Sequence, residues 1–120
     1  MTKKVLIVDD SETDLKHLES VVTSASYQTI TARSGQEALD KARSEKPNLI
    51  LLDIIMGEMD GFSTCREINQ DPDLLNIPVV FVSSKNQKVD HIWAAKQGAK
   101  ALISKPFKNE DILAQLSTYA

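Results

Sequence analysis

The stretch Lys4-Val5-Leu6-Ile7-Val8-Asp9-Asp10 decides the architecture, and Leu49-Ile50-Leu51-Leu52-Asp53 repeats its design. Each is a short aliphatic run, rich in strand-forming residues, that ends abruptly in acid. Runs without polar alternation predict strands buried on both faces of a parallel sheet. Each acid then falls at a strand's carboxyl end, the edge where open α/β sheets keep their ligands. If the two strands are neighbours, the three carboxylates of Asp9, Asp10 and Asp53 meet in one crevice. That arrangement is unfavourable unless a cation or protons relieve the repulsion. One strand-end aspartate often serves only as a turn former or helix cap, whereas three that converge point to a site.

Outward from these stretches, apolar runs and helical patterns alternate five times. Strands are predicted at residues 4–8, 28–31, 49–52, 79–82 and 101–104. After Asp10, the spacing of Leu15, Leu18 and Val22 predicts a helix, and Ser11 with Asp14 three residues on is a variant capping box. Ser34-Gly35-Gln36-Glu37 is a full capping box opening a second helix around Ala38, Leu39 and Ala42. A third helix follows Gly61 and ends before the turn-rich Asp71-Pro72-Asp73. A fourth is expected from about Gln87 to Gln97, stopped by Gly98, and a fifth runs from about Glu110 to the C-terminus. Five βα units with short joins predict a parallel sheet with helices on both faces, wound through right-handed crossovers. The flavodoxin-like order 2-1-3-4-5 would place strands one and three side by side, which is the adjacency a three-acid site needs.

Bulk properties narrow the function. At 120 residues the chain is expected to be one domain, residues 1–120, with a real core and no output domain. A net charge of −3 without any basic stripe argues against a nucleic-acid binder. The apolar run before Asp9-Asp10 is too short for a signal peptide, and Asp53 interrupts the other far below the length of a membrane span. The single cysteine, Cys65, has no internal disulfide partner, which fits a reducing compartment; it is expected to pack as a small hydrophobe. A cytoplasmic monomer is the expectation.

The remaining strand ends complete the chemistry. The fourth delivers Ser83-Ser84, and the fifth delivers Lys105-Pro106, whose ammonium opposes the acids. Acids, a hydroxyl and a lysine around one crevice suit an oxygen-preferring divalent cation such as Mg²⁺, together with a phosphoryl group. Phosphoryl transfer is mainly positioning and charge neutralisation, and a carboxylate can be its covalent acceptor.

These residues, Asp9-Asp10, then Asp53 in Asp-Ile-Ile-Met-Gly-Glu-Met-Asp-Gly, then Ser83, then Lys105-Pro106-Phe107, resemble the receiver domain of two-component response regulators, the CheY-like family. The resemblance spans essentially the whole chain. It implies the 2-1-3-4-5 flavodoxin-like (βα)₅ sandwich and phosphorylation of Asp53 by the phosphohistidine of a partner histidine kinase. It further implies direct Mg²⁺ binding by Asp10, Asp53 and the backbone carbonyl of Ile55, with Asp9 acting through water. Ser83 and Lys105 would contact phosphoryl oxygens, and the Lys105–Pro106 bond would be cis. The stretch from residue 93 to residue 105 also resembles receivers of type IV pilus, chemosensory-like motility systems. By this resemblance the protein is not a turnover enzyme: self-phosphorylation and autodephosphorylation are its only reactions. Its output would be phosphorylation-dependent protein binding, or service as a phosphate sink.

Three positions depart from the family's pattern. Gly57 stands where proline is usual, which predicts a looser loop after Asp53. Leu102 occupies the place of a switch aromatic, so the switch either uses other contacts or moves little. Ile55, two residues after Asp53, has no polar group for attacking water, whereas Lys85, two after Ser83, has one. Among other residues, Trp93 reads first as a half-buried packing aromatic and second as an interface anchor. With Leu102 it marks the fourth helix and fifth strand as the expected face for a downstream protein. Lys85, Lys88, Lys96 and Lys100 form a basic grouping there, and His17 and His91 are expected at the surface without metal-ligand spacing.

Two other functions use the same architecture. A Mg²⁺-dependent phosphohydrolase with an aspartyl-phosphate intermediate places its nucleophile on the first strand and a second acid two positions on. Here those acids are adjacent, and no insertion is long enough for a cap over substrate. A flavodoxin-like carrier needs a glycine- or hydroxyl-rich phosphate loop after strand one, and Asp9-Asp10-Ser11-Glu12 has the wrong charge. The receiver assignment carries its own test at Ile55. Ile55→Asn is expected to change the lifetime of the acyl phosphate at Asp53, followed as loss of label from phosphorylated protein; an unchanged rate removes this role for the position.

Overall fold

The computed structural model describes residues 2–120; Met1, part of the expected domain, lies outside the described residues. Five strands form one parallel sheet: β1 (Lys4–Val8), β2 (Gln28–Ala32), β3 (Leu49–Leu52), β4 (Val79–Ser83) and β5 (Ala101–Ser104). Their spatial order is β2-β1-β3-β4-β5, as the placement of the acids requires. Five helices alternate with them: α1 (Glu12–Ser24), α2 (Gly35–Glu45), α3 (Gly61–Gln70), α4 (Lys88–Lys96) and α5 (Asn109–Tyr119). Each expected element is present, and β2 and β4 each run one residue further than predicted.

The runs form central strands because both faces are covered. Leu6, Val8, Ile50, Leu52, Val79 and Phe81 point into a core beneath α2, α3 and α4. Their alternating neighbours Val5, Ile7, Leu49, Leu51, Val80 and Val82 point into a second core beneath α1 and α5. Every residue of β3 and β4 is buried, whereas the edge strands β2 and β5 are only partly covered. Each fully buried aliphatic side chain here contributes roughly 1.5–3 kcal/mol, most of it offset by lost chain entropy.

The helix starts follow their caps with two differences. Ser34 Oγ accepts from the Glu37 N–H at 3.1 Å, but Glu37 Oε1 accepts from the Arg33 N–H at 2.7 Å, one residue before the cap. That bond is the main reason the Glu37 carboxyl lies below its ordinary pKa. At α1, Ser11 Oγ accepts from the Asp14 N–H at 3.4 Å, but the Ser11 N–H donates to Asp9 Oδ1 at 2.9 Å. The box is therefore half formed, and Asp14 keeps its carboxylate for another partner. Gly98 closes α4 with a φ of +93°, a conformation L side chains rarely adopt.

Gly61 fixes the distance between β3 and α3. Its N–H donates to the Ile54 carbonyl at 2.8 Å, and a Cβ there would sit 2.2 Å from the Asp53 carbonyl oxygen. Only glycine lets the helix start against the strand end that carries Asp53. Gly61→Ala is expected to lower unfolding stability by about 1–3 kcal/mol, the usual cost of overpacking, read from the urea midpoint.

Candidate functional site

The carboxyl ends of β1, β3, β4 and β5 border a cavity of about 530 Å³ lined by Asp10, Asp14, Asp53, Ser84, Lys105 and Phe107, among others. The pairing of β1 with β3 places Val8 beside Leu52, so the acids that follow them come together. One carboxylate oxygen from each of Asp9, Asp10 and Asp53 lies within 4.8 Å of the other two. The set is all oxygen and anionic, which suits a hard divalent cation. Asp9 is fully buried and Asp53 nearly so, while Asp10 is open to solvent.

Lys105 answers the charge. Its Nζ donates to Asp9 Oδ2 at 2.7 Å, to Asp14 Oδ2 at 2.9 Å and to Asp53 Oδ2 at 3.3 Å. Burial works to lower the Lys105 pKa, but the bonds to Asp9 and Asp14 and the charges of Asp53 and Asp9 outweigh it and raise it. Burial raises the pKa of Asp9 above the ordinary carboxylate value; the bonds from Lys105 and the Ser11 N–H oppose the shift without cancelling it. The Asp53 Oδ1 accepts from the Ile54 N–H at 2.7 Å and more weakly from the Ile55 N–H at 3.4 Å, which pins the carboxylate and turns Oδ2 toward Lys105. The Lys105–Pro106 peptide is cis.

Residues 5–117 match the family described as the response regulator receiver domain. The chain belongs to that family. Receiver domains take phosphoryl groups from histidine kinases and bind downstream targets as two-component signalling proteins. This receiver is 36% identical to Protein PilH of Pseudomonas aeruginosa over 110 residues, 92% of this chain and 91% of that protein. It is 37% identical over 119 residues to the polar-differentiation response regulator DivK of Brucella abortus, covering 99% and 97% of the two chains. Among solved structures, the chemotaxis protein CheY4 of Vibrio cholerae superposes with a TM-score of 0.93 at 27% identity, covering 100% of both chains.

Asp9, Asp10, Asp53 and Lys105 of the receiver converge as the sequence suggested. Ile55 is 55% exposed and lines the cavity. Ser83 is fully buried, and its Oγ accepts from the Lys85 N–H at 3.1 Å; the neighbouring Ser84 lines the cavity instead. Leu102 is only 8% exposed and packs in the core with Ala94 of α4, with an edge on a small pocket between α4 and β5. Trp93, at 49%, is half exposed, with Lys96 Nζ 5.5 Å from its ring. Cys65 is buried and its thiol is pushed up to about 12 by desolvation, which leaves it unreactive.

Asp14, His17 and Phe107 are cavity residues that the sequence did not mark as such. His17 is exposed, as expected, and stacks on Phe107 with ring centroids 4.8 Å apart. Asp14 read as a cap residue, and that pattern concealed it.

The raised pKa of Asp9 has a thermodynamic sign. A carboxyl whose native pKa is raised binds its proton more tightly folded than unfolded, so its charged form opposes folding at neutral pH. Asp9→Asn should therefore raise the thermal midpoint of metal-free protein at pH 7. The gain should vanish below the ordinary value of 3.8, where Asp9 is neutral in both states. Thermal scans in chelator across that range check it, and a gain that persists in acid would contradict the assignment.

Proposed function

We propose that this receiver accepts a phosphoryl group on Asp53 from a histidine kinase and signals through phosphorylation-dependent protein binding, or by draining phosphate from another regulator. The convergence of Asp9, Asp10 and Asp53 around the Lys105 ammonium is the observation that supports this reading most strongly. An Asp53 carboxylate oxygen attacks phosphorus. The O–P bond forms as the N–P bond of phosphohistidine breaks, and the electron pair returns to the imidazole, which takes up a proton. Hydrolysis reverses the charge state: water oxygen attacks phosphorus, the acyl O–P bond breaks, and inorganic phosphate leaves a free carboxylate.

Lys105 is within reach to hold a phosphoryl oxygen once its bond to Asp53 is exchanged, and Asp9 keeps the ammonium in place from beneath. Ser83 would join by turning its hydroxyl outward, a move that also tugs on the Lys85 N–H. Asp10, Asp53 and the Ile55 carbonyl are the proposed direct ligands of Mg²⁺, with Asp9 acting through water. When bound, the ion would neutralise developing charge on the phosphoryl oxygens.

The output surface is assigned to α4 and the groove of about 340 Å³ between α3 and α4, lined by Phe62, Arg66, Lys85, Val89 and Trp93 among others. Val89, Ile92 and Trp93 leave large apolar area exposed on α4. Lys85 ties this surface to the site, since its N–H binds Ser83 and its Nζ pairs with the buried Asp90 at 3.2 Å. Likeness to PilH and to the chemotaxis protein CheY4 supports a role in motility or chemotaxis-like signalling. No helix among the described residues is long and apolar enough to cross a membrane. A monomer in the cytoplasm, the compartment of histidine-kinase output, completes the proposal.

Intact mass after incubation with acetyl phosphate and Mg²⁺ is expected to show one phosphoryl adduct, absent without Mg²⁺ and in Asp53→Ala. If neither this adduct nor a beryllofluoride complex forms, the proposed chemistry is wrong. Mg²⁺ at ten times its dissociation constant should stabilise the domain by about 1.4 kcal/mol, and Asp10→Ala should abolish the gain. A shift that survives Asp10→Ala would locate the ion elsewhere.

A further inference from the structure

Lys105 has three N–H donors, and three carboxylates take all of them. Donation to a phosphoryl oxygen therefore requires that one carboxylate be released. Asp9 is the costliest to release, because it is fully buried and would be left as an uncompensated charge. Asp53 is the acceptor, and its oxygen, the most distant of the three at 3.3 Å, is the one to exchange, so Asp9 and Asp14 stay on the lysine beside the incoming group. Of the two that stay, Asp14 is the one the donor meets: its side chain is 43% exposed at the cavity wall, and it binds Lys105 from α1 at 2.9 Å. Its backbone N–H serves the cap, and Asp9 has taken the Ser11 N–H that a capping box would give it, so its carboxylate is committed to the lysine.

We propose that Asp14 is a positioning residue that holds Lys105 beside the incoming phosphoryl group and biases this receiver against highly charged small phosphodonors. The inference rests on phosphoryl transfer to Asp53. Asp14 holds the ammonium in register with Asp9, and it also adds a negative charge beside the path of a dianionic donor. With acetyl phosphate, the Asp53 O–P bond forms as the P–O bond to acetate breaks, and acetate leaves with the electron pair. Phosphoramidate delivers the same group with one less negative charge and loses ammonia. The repulsion from Asp14 should therefore be larger for acetyl phosphate.

Asp14→Asn removes the charge and retains an oxygen for Lys105. Phosphorylation rates of wild type and Asp14→Asn are to be measured with both donors, at low and high salt, with Asp53→Ala as the blank. For one charge at this range, a gain of about threefold or more is expected for acetyl phosphate at low salt. A smaller gain is expected with phosphoramidate, and both gains should shrink in high salt. A merely structural role would move the two donors alike and would not follow ionic strength. Wild type that labels at Asp53 while Asp14→Asn gains nothing, slows, or gains equally with both donors overturns the role of Asp14 alone. Wild type that never labels at Asp53 overturns the underlying phosphoryl transfer instead.

Discussion

One ammonium holds together a sheet edge that would otherwise repel itself. Asp9, Asp14 and Asp53 all reach Lys105 Nζ, and Asp10 stands beside them without that contact. The acids come from two adjacent central strands and a helix, and the lysine from the far end of the chain. Each charge is poorly placed by itself, since burial works against the ionised form of both Asp9 and Lys105. Together they are tolerable because every Lys105 N–H is satisfied and the buried carboxylate is paired. The sheet order makes the cluster possible, because neighbouring β1 and β3 bring the acids close together.

Most of the fold was legible because its signals are local and mutually consistent. Four-residue aliphatic runs ending in acid identify buried parallel strands, and Ser34, Gly61 and Gly98 punctuate the helices where the backbone needs them. The edge strand β2, Gln-Thr-Ile-Thr-Ala, was readable only by its β-branched content, and its last residue was missed. There the chain borrows its final pairing from β1, with Val8 beside Ala32, a non-local contact that no window of sequence records.

The site was legible as a list of residues and less so as a set of contacts. Asp9, Asp10, Asp53 and Lys105 could be found because strand ends have one address in this architecture. Asp14 could not, since an acid three residues after a serine cap has a sufficient local explanation. The local explanation fails only because Asp9 takes the Ser11 N–H first. Leu102 was legible by position but not by depth. It sits on the face around α4 and β5, but an aliphatic residue on a strand under α4 turns most of its surface inward and leaves only an edge on the pocket there.

The two cores on opposite faces of the sheet give the acidic edge a mechanical meaning. α1 and α5 rest on one layer of side chains, and α2, α3 and α4 rest on the other. Asp14 belongs to the first layer, and Lys105 leads into it through α5. Asp53 leads into the second through Gly61, and Ser83 through Lys85 and α4. The ion cluster thus stands at the carboxyl edge of the sheet where the two layers meet. A charge placed at that edge has neighbours anchored in both layers, Lys105 and Asp14 on the side of α1 and α5 and Asp53 and Ser83 on the side of α3 and α4.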